Sequence, residues 1–434
     1  MTGTETLQAT LFAEMRARIK EEDVQVPVRD DAFFYYTRMV EGQQYPVHCR
    51  RRLRTPAVLH TAATSMSDSV CEREEVLWNE NEAAKSSSFY RIGGLEPSPS
   101  HRHLAFSEDR AGGEKYTIRI AKLPPHKPPE FLPDTLPDCL HTIAWASDDD
   151  QTLFYCTKDI ALDRPDKVWR HTVGTHKSQD TLVFHEPNDA FSVSLSRSPM
   201  GDLILISSDS PETSETMWLD ARVPASRLHS LGRTKGVEYK ATFRDGIFWV
   251  ITNADKASNA KLLAVPMDRT TGEVQPPTEV LPHRANVRLE SVAAAPHHLA
   301  ISQRIDGLPS VLVHAMAPDG PAKLGPGIPV PMAEAAYSLD AEASSYPTDV
   351  LRYHYSSLTT PWSTYDVDMG IITAPGTPVT PVLKKRQPVL GNFDPANYKY
   401  VPIHVTGFGA DVVFDLLSYG GSPPTHAHSV CQGA

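Results

Sequence analysis

The chain has 434 residues, 40% of them hydrophobic, and a formal net charge of -11 from 53 acidic and 42 basic side chains. This length suits two or three ordinary domains or one large repeat architecture, and the negative charge argues against general nucleic-acid binding. No stretch approaches the roughly 18 consecutive apolar residues of a membrane-spanning helix. The charged N-terminus also lacks the apolar run of a signal peptide, so we expect a cytoplasmic protein.

The first predicted element is a helix over residues 5–23. Leu7, Leu11, Met15 and Ile19 recur every four residues, which places them along one face of an α-helix. We assign residues 1–29 to a short N-terminal helical segment. We expect a short helix or a loop within residues 64–90, because the spacing between successive repeats, described next, is longer there than elsewhere.

Short runs of aromatic and aliphatic residues recur along the chain with a period near fifty, and each predicts a buried strand. They are FFYYT (33–37), HLAFS (103–107), TLFYC (152–156), LILIS (203–207), IFWVI (247–251), HLAIS (298–302) and LRYHY (351–355). A second, more clearly alternating run follows each of them. These runs start with YPVHCR at 45, YTIRI at 116, KVWRHT at 167, TMWLDA at 216, KLLAV at 261, SVLVHA at 310 and STYDVD at 363.

Polar, turn-rich segments separate the two runs of each unit, as in EDRAGGEK (108–115), and they predict hairpins. Seven strand–hairpin–strand units of this period are typical of a seven-bladed β-propeller, whose sheets must stack because none can bury both faces alone. Residues 90–370 contain no amphipathic pattern of helical length, which excludes a parallel βαβ fold. We therefore predict an all-β propeller over residues 30–390.

Within a unit, the alternation predicts which side chains share a face. In KVWRHT, Val168 and Arg170 should face one way, and Trp169 and His171 the other. Trp169 and Trp218 fall at corresponding places in successive units, so we expect both in the core between blades.

A search for chemical motifs finds none that could form a catalytic centre. The 434 residues contain no G-x-S-x-G, no phosphate-binding glycine loop and no H-E-x-x-H, and GRTKG (232–236) has threonine where a nucleophilic serine would stand. The histidines of HRH (101–103) and HH (297–298) are interpreted as turn or surface residues. The acidic SDDDQ (147–151) is interpreted as a solvated hairpin tip.

Cofactor and metal sites are not predicted either. The five cysteines, Cys49, Cys71, Cys139, Cys156 and Cys431, include no C-x-x-C pair and are expected to be reduced thiols. We therefore assign no catalytic, cofactor-binding or metal-binding residue from the sequence, and the residue patterns alone favour an interaction or gating module.

Long ordered blocks of the sequence resemble the oligopeptidase B group of the prolyl oligopeptidase family of serine peptidases. The similar blocks are RIKEEDVQVPVRDDAFFYYTRMVEGQQYPVHCRR (18–51), GGLEPSPSHRHLAFSEDRAGGEKYTIRI (93–120), TLFYCTKDIALDRPDKVWRHTVGT (152–175), SDSPETSETMWLDA (208–221), LRYHYSSLTTPWSTYDVDM (351–369) and QPVLGNFDPANY (387–398). The resemblance implies a seven-bladed propeller capped by an α/β-hydrolase domain that carries Ser, Asp and His. It also implies cleavage of short peptides after Arg or Lys, with entry restricted by the propeller and the N-terminal helix packed on the hydrolase domain.

The family's catalytic residues would follow the FDPANY block, and only 36 residues of this sequence follow Tyr398. We interpret residues 391–434 as a truncated or frameshifted start of the hydrolase domain. Ser422 precedes two prolines, and His426 and His428 lie too near it for a known triad, so none of the three is assigned. The resemblance suggests Tyr419 only as a weak candidate for the oxyanion hole.

Two functions remain open at this point. The first is the substrate-gating propeller of an oligopeptidase B-like peptidase, inactive alone, whose partners are short basic peptides. The second is a stand-alone, non-catalytic propeller that binds a peptide or a protein. An exposed apolar rim where the hydrolase domain normally docks would count against the second function.

Overall fold

In the computed structural model, seven antiparallel sheets follow one another along the chain, and a separate three-stranded sheet ends it. The structure describes residues 3–55, 61, 63–317, 323–342, 344, 347–372, 376–391, 394–406, 411–419 and 429–430, with side chains as far as residue 398. The seven sheets are the blades of the predicted propeller, and the predicted all-β, seven-bladed fold is confirmed.

Each blade is built from strands that are consecutive in sequence. Blade 1 has β1 (Asp23–Val24), β2 (Val28–Asp30), β3 (Phe33–Met39), β4 (Val47–Leu53) and β5 (Cys71–Asn79). Blade 2 has β6 (Arg91–Pro97), β7 (His103–Asp109), β8 (Tyr116–Lys122) and β9 (Glu130–Cys139); blade 3 has β10 (Ile143–Trp145), β11 (Thr152–Asp159), β12 (Arg164–Thr172) and β13 (Thr181–His185). Blade 4 has β14 (Ser192–Arg197), β15 (Leu203–Ser210), β16 (Thr213–Asp220) and β17 (His229–Ser230).

The later blades follow the same order. Blade 5 has β18 (Tyr239–Arg244), β19 (Ile247–Thr252), β20 (Lys261–Pro266) and β21 (Thr278–Leu281); blade 6 has β22 (Val287–Ala294), β23 (His298–Ile305), β24 (Leu308–Ala315) and β25 (Ile328–Pro329). Blade 7 has β26 (Ser338–Glu342), β27 (Val350–Ser356), β28 (Ser363–Asp368) and β29 (Val382–Arg386). The final sheet has β30 (Tyr398–Thr406), β31 (Asp411–Tyr419) and β32 (Ser429–Val430). The predicted domain boundaries at residues 30 and 390 stay predictions.

The two predicted runs of each repeat are the two middle strands of each blade, which confirms their pairing as hairpins. Because neighbouring strands are antiparallel, the turns of a blade alternate between two faces of the ring. The turns after the first and third strands lie on one face, which we call the distal face. The middle hairpins and the links between blades lie on the other, which we call the exit face, because the chain leaves blade 7 there.

The two α-helices of the described chain lie in its N-terminal part. Helix α1 (Glu5–Ala17) has no buried residue and ends short of the predicted residue 23, where β1 already begins. Helix α2 (Glu80–Ala84) falls within residues 64–90, where a short helix or a loop is predicted. Neither helix is both long and apolar enough to cross a membrane.

Hydrophobic side chains join each blade to the next. Six clusters of buried residues fill the successive seams from blades 1 and 2 to blades 6 and 7. Val168 packs toward blade 4 and Trp169 toward blade 2, as the alternation predicts. Trp218 is also in an interblade core, but it faces forward to blade 5. The predicted equivalence of Trp169 and Trp218 is therefore wrong, because the two residues occupy positions that differ by one along their strands. A shift of one residue moves a side chain to the opposite face of the sheet.

The seam between blade 7 and blade 1 closes differently. Among the described residues, no hydrophobic cluster joins these two blades, and polar side chains of blade 7 reach the backbone of blade 1. The Arg352 guanidinium donates to the Pro27 carbonyl at 2.9 Å, and Lys384 and Lys385 donate to the carbonyls of Thr64 and Val24 at 2.7 Å. Arg352 is itself held by two hydrogen bonds to the buried Asp366 carboxylate, at 2.8 and 2.9 Å.

Polar turns on the distal face link blades as well. Asp150, at the start of blade 3, accepts from the Ser100 amide at 3.3 Å and lies 3.1 Å from Nδ1 of His103 in blade 2. Burial opposes the ionisation of Asp150, but hydrogen bonds from His103, Ser100 and Ser98 outweigh it and lower the pKa of this carboxyl to about 2. The interpretation of SDDDQ as a solvated tip is therefore wrong at Asp150, since a neighbouring blade supplies its donors.

The same contact recurs between blades 6 and 7. Asp349 lies 2.8 Å from Nδ1 of His297 and 2.9 Å from Nδ1 of His298. Burial is again outweighed by these hydrogen bonds, and the pKa of Asp349 falls to about 2. The histidines of both motifs do lie at turns, as predicted, but His101 and His298 are buried.

We expect the polar seam to be essential for closing the ring. Arg352→Ala should lower the free energy of unfolding by about 3 kcal/mol, because it removes both hydrogen bonds to the buried Asp366 carboxylate and leaves only Lys384, 4.0 Å away. The matched control is Arg304→Ala, which removes an exposed ion pair with Glu290 and should change stability by about 0.5 kcal/mol. Urea unfolding of both variants tests this expectation, and equal losses would contradict it.

The lowered pKa of Asp349 makes a pH-dependent contribution to stability. A carboxyl whose folded pKa is about 2 stabilises the fold above its unfolded pKa of about 4, and this contribution is lost as the pH falls toward 2. Asp349→Asn should therefore be less stable than the natural chain by about 2 kcal/mol at pH 7. The difference should shrink steadily in unfolding experiments below about pH 4, and Asp306→Asn, at an exposed position, is the control for the substitution itself.

Candidate functional site

The first strands of the blades converge on the centre of the ring. A cavity of about 620 Å³ lies there near the distal face, lined by residues of blades 1 to 4. Its polar side chains are those of Asp30, Asp31, Glu96, His101, His141, Thr142, Ser196, Arg197 and Ser198. Blades 1 and 4 are not neighbours, so residues of both can meet only across the central channel. We call this cavity the channel site.

Two carboxylates of the channel site have no partner in the described part of the chain. Neither Asp30 nor Glu96 makes a side-chain hydrogen bond, and no cationic group lies within 4.0 Å of either. Burial raises the pKa of Asp30, although His101 and Arg197 act in the opposite direction. Glu96 opens into the channel but is surrounded by protein, and this burial raises its pKa to about 7.

A guanidinium group faces these carboxylates from blade 4. Nη2 of Arg197 donates to the Ser147 hydroxyl at 3.0 Å and to the Gly201 carbonyl at 3.3 Å. A side chain at Gly201, where φ is +70°, would collide with this guanidinium. Its Nε is buried without an acceptor among the described residues. Burial lowers the pKa of Arg197, and Asp30 and Glu96 raise it only in part.

His101 forms the wall beside Asp30 and Asp31. Its Nδ1 lies 2.8 Å from the Tyr35 hydroxyl, its carbonyl accepts from Arg50 at 2.7 Å, and its ring packs 4.9 Å from that of Phe33. Burial lowers the pKa of His101, although the carboxylates of Asp30 and Asp31 act in the opposite direction.

The channel site is suited to binding a cation rather than to covalent chemistry. Ionised, unpaired carboxylates in a partly desolvated channel attract a guanidinium or ammonium group more strongly than they would in water. No group of three or more His, Cys, Asp or Glu side chains in the described part of the chain is arranged to hold a metal ion. Perturbed carboxyl groups in a cavity are a common mark of a binding site.

The residues that the sequence singled out in the tail do not contribute to this site. Ser422, His426 and His428 lie outside the described residues. Tyr419 is the last residue of β31, and its suggested place in an oxyanion hole stays a proposal.

Sequence reasoning missed Asp30, Glu96 and Arg197. They lie on first strands, which are more polar than the middle strands and carry no clear period. The available signal was that charged residues end several of these strands, as in VRD at 28–30 and SVSLSR at 192–197.

The exit face carries exposed apolar side chains. Ile160, Leu162 and Trp362, all in middle hairpins, are 82%, 56% and 48% exposed. In the hairpin of blade 3, the Asp159 carboxylate accepts from the amides of Ala161 and Leu162 at 2.8 and 3.2 Å. Exposed apolar side chains on one face are typical of a docking surface.

Known proteins with the same architecture are peptidases. Dipeptidyl aminopeptidase BI of Pseudoxanthomonas mexicana is 35% identical over 372 residues, which are 85% of this chain and 49% of that protein. Protease 2 of Moraxella lacunata is 27% identical over 92% of this chain and 53% of its own length. The chain thus spans about half the length of these relatives.

Solved structures of peptidases share the fold of this chain. Oligopeptidase B from Leishmania major superposes with a TM-score of 0.82 at 27% identity, covering 96% of this chain and 56% of that protein. Oligopeptidase B from Trypanosoma brucei, with covalently bound antipain, gives a TM-score of 0.81 at 28% identity, over 97% and 56% of the two chains. Residues 1–371 match the prolyl oligopeptidase N-terminal β-propeller domain. The chain therefore belongs to the prolyl oligopeptidase family.

Proposed function

We propose that the chain is the substrate-gating propeller of an oligopeptidase B-like serine peptidase that cleaves short peptides after Arg or Lys. Its relatives are peptidases of about twice its length, and its channel is lined by unpaired carboxylates. The pair formed by Asp30 and Glu96 is the observation on which the proposal for basic peptides rests. A flexible basic peptide can enter such a channel, and a folded protein cannot.

The exit face is the proposed docking surface for the hydrolase domain. The exposed Ile160, Leu162 and Trp362 would be buried there. Helix α1 supports the same arrangement, because Leu7, Leu11, Phe12, Met15 and Ile19, in and just after it, are all at least 47% exposed. A helix with an unburied apolar face gains stability only by packing against another surface.

The alternative of a stand-alone binding module is less well supported. Such a module would need a polar exit face, and Ile160 is 82% exposed there. We also propose a cytoplasmic location, because Cys49, Cys71, Cys139 and Cys156 are buried and unpaired, as is usual in a reducing compartment.

We expect the channel site to bind basic peptides in a pH-dependent manner. Since the pKa of Glu96 is about 7, its charge is mostly absent at pH 6 and mostly present at pH 8. Affinity for an Arg-Arg peptide, measured by isothermal titration calorimetry, should rise several-fold over this interval and exceed that for a Glu-Glu peptide of equal length. Glu96→Gln should remove most of the pH dependence.

The matched control for this experiment is Asp306→Asn, which alters an exposed carboxylate in a hairpin on the exit face. It should leave peptide affinity unchanged. Equal binding of the two peptides, or an unchanged pH profile in Glu96→Gln, would refute the assignment of the channel site.

We also expect the purified 434-residue protein to hydrolyse no dibasic peptide, because nucleophile, base and orienting acid act as a unit and no G-x-S-x-G is present. Release of a fluorescent amine from an Arg-Arg substrate is the measurement. Turnover that a serine-directed inhibitor abolishes would show that these residues contain a working triad.

A further inference from the structure

A second cavity, of about 370 Å³, lies on the distal face between blades 4 and 5. It is formed by the turns after the third strands of the two blades, 221–228 and 267–272, together with the ends of their middle strands. It shares no lining residue with the channel site, although Gly201 of the channel site and Asp202 of this cavity are neighbours in sequence. The distal face is also opposite to the proposed docking surface, so a hydrolase domain would leave this cavity open. We call it the seam pocket.

Aromatic rings form the base of the seam pocket. The rings of Trp218 and His229 lie almost parallel, with centroids 5.7 Å apart and an angle of 18° between their planes. Phe243 lines the pocket beside them. Gly272, with φ +72°, closes the turn against His229, and a side chain there would meet the imidazole at 2.5 Å. Trp218 and Phe243 are 2% and 1% exposed, so the half-buried His229 imidazole, stacked on Trp218, is the aromatic surface that the base offers to a ligand.

Trp218 also has an unused hydrogen-bond donor. Its side chain is 2% exposed, and its indole N–H has no acceptor among the described residues. A buried donor without a partner is unfavourable by about 1–3 kcal/mol. An acceptor at the base of the pocket would remove this penalty.

Three arginines surround the opening. Arg222 makes two hydrogen bonds to Asp220, at 3.0 and 2.8 Å, and Arg269 makes one to Asp202 at 2.9 Å. Arg227 is 78% exposed, and its ion pair with Glu273 is long, at 3.8 Å. Each guanidinium has five N–H groups, so donors remain for a ligand.

We propose that the seam pocket binds the carboxylate of a small peptide or amino acid derivative that ends in an aromatic residue. The aromatic ring would lie against the base, and the carboxylate would accept hydrogen bonds from Arg227 and Arg269. The lining holds three arginines and two aspartates, and Glu273 beside Arg227 brings the charges of this region into balance. A monoanion suits this lining better than a phosphate dianion, which the carboxylates of Asp202 and Asp220 would repel more strongly. The proposal is independent of the channel site and of the peptidase assignment.

Isothermal titration calorimetry on the full 434-residue protein tests this with N-acetyl-L-phenylalanine as the probe. N-acetyl-L-phenylalaninamide, which lacks the charge, and phenyl phosphate, which carries a different anion, are the comparison probes. The carboxylate should bind with one-to-one stoichiometry, about tenfold more tightly than the amide, and more tightly than the phosphate. Absent binding, equal binding of carboxylate and amide, or preference for the phosphate would each overturn the proposal.

Variants locate the bound probe. Arg227→Gln should weaken binding by about tenfold because it removes a charged donor, and its exposure makes a folding defect unexpected. Trp218→Phe keeps the ring, removes the N–H and should weaken binding by about fivefold. Arg102→Gln is the matched control, since Arg102 is an exposed, paired arginine in the turns that join blades 2 and 3. Unchanged affinity in both pocket variants, or an equal loss in Arg102→Gln, would place the probe elsewhere and refute the site.

Discussion

The ring depends on one seam in which the described residues form no hydrophobic core. Six of the seven interblade contacts are packed with buried apolar side chains, whereas blades 7 and 1 meet through lysine and arginine side chains that donate to backbone carbonyls. The described strands of these two blades do not pair with each other, so closure relies on those hydrogen bonds and on the ion pair of Lys385 with Asp23. Arg352 holds the carbonyl of Pro27, and β2, which carries Asp30, starts at the next residue. The channel site therefore keeps its geometry only while the seam is closed.

Two pairs of carboxyl groups in this protein have pKa values that are shifted in opposite directions. Asp150 and Asp349 receive hydrogen bonds from histidines of the preceding blade, and their pKa values fall to about 2. Asp30 and Glu96 have no such donors among the described residues, and the protein around them raises their pKa values. The first pair stabilises the fold in its ionised form, and the second pair opposes folding when ionised. Unpaired carboxylates persist in a fold most readily where they bind a ligand.

The sequence predicted the middle strands well because they are buried on both faces. Strands such as β11 and β15 are continuous apolar runs, and their period near fifty established the number of blades. First and last strands were missed because several are only two or three residues long, as in β10, β17 and β25, which leaves no room for a periodic pattern. The channel site could not be found in this way, because Asp30, Glu96 and Arg197 are brought together only when the ring closes.

The order of strands also bears on how the chain folds during synthesis. Each blade uses only consecutive strands, so a blade can form as soon as its own segment has left the ribosome, and each new blade packs on the one before it. Blade 1, by contrast, must wait for blade 7, because Arg352 and Lys385 are among the last residues of the ring to be made. Until then the side of blade 1 that later contacts blade 7 is open to solvent. The nascent ring is an incomplete arc with an exposed blade at each end. Slow translation of the final blade would prolong the time for which these blade surfaces are exposed.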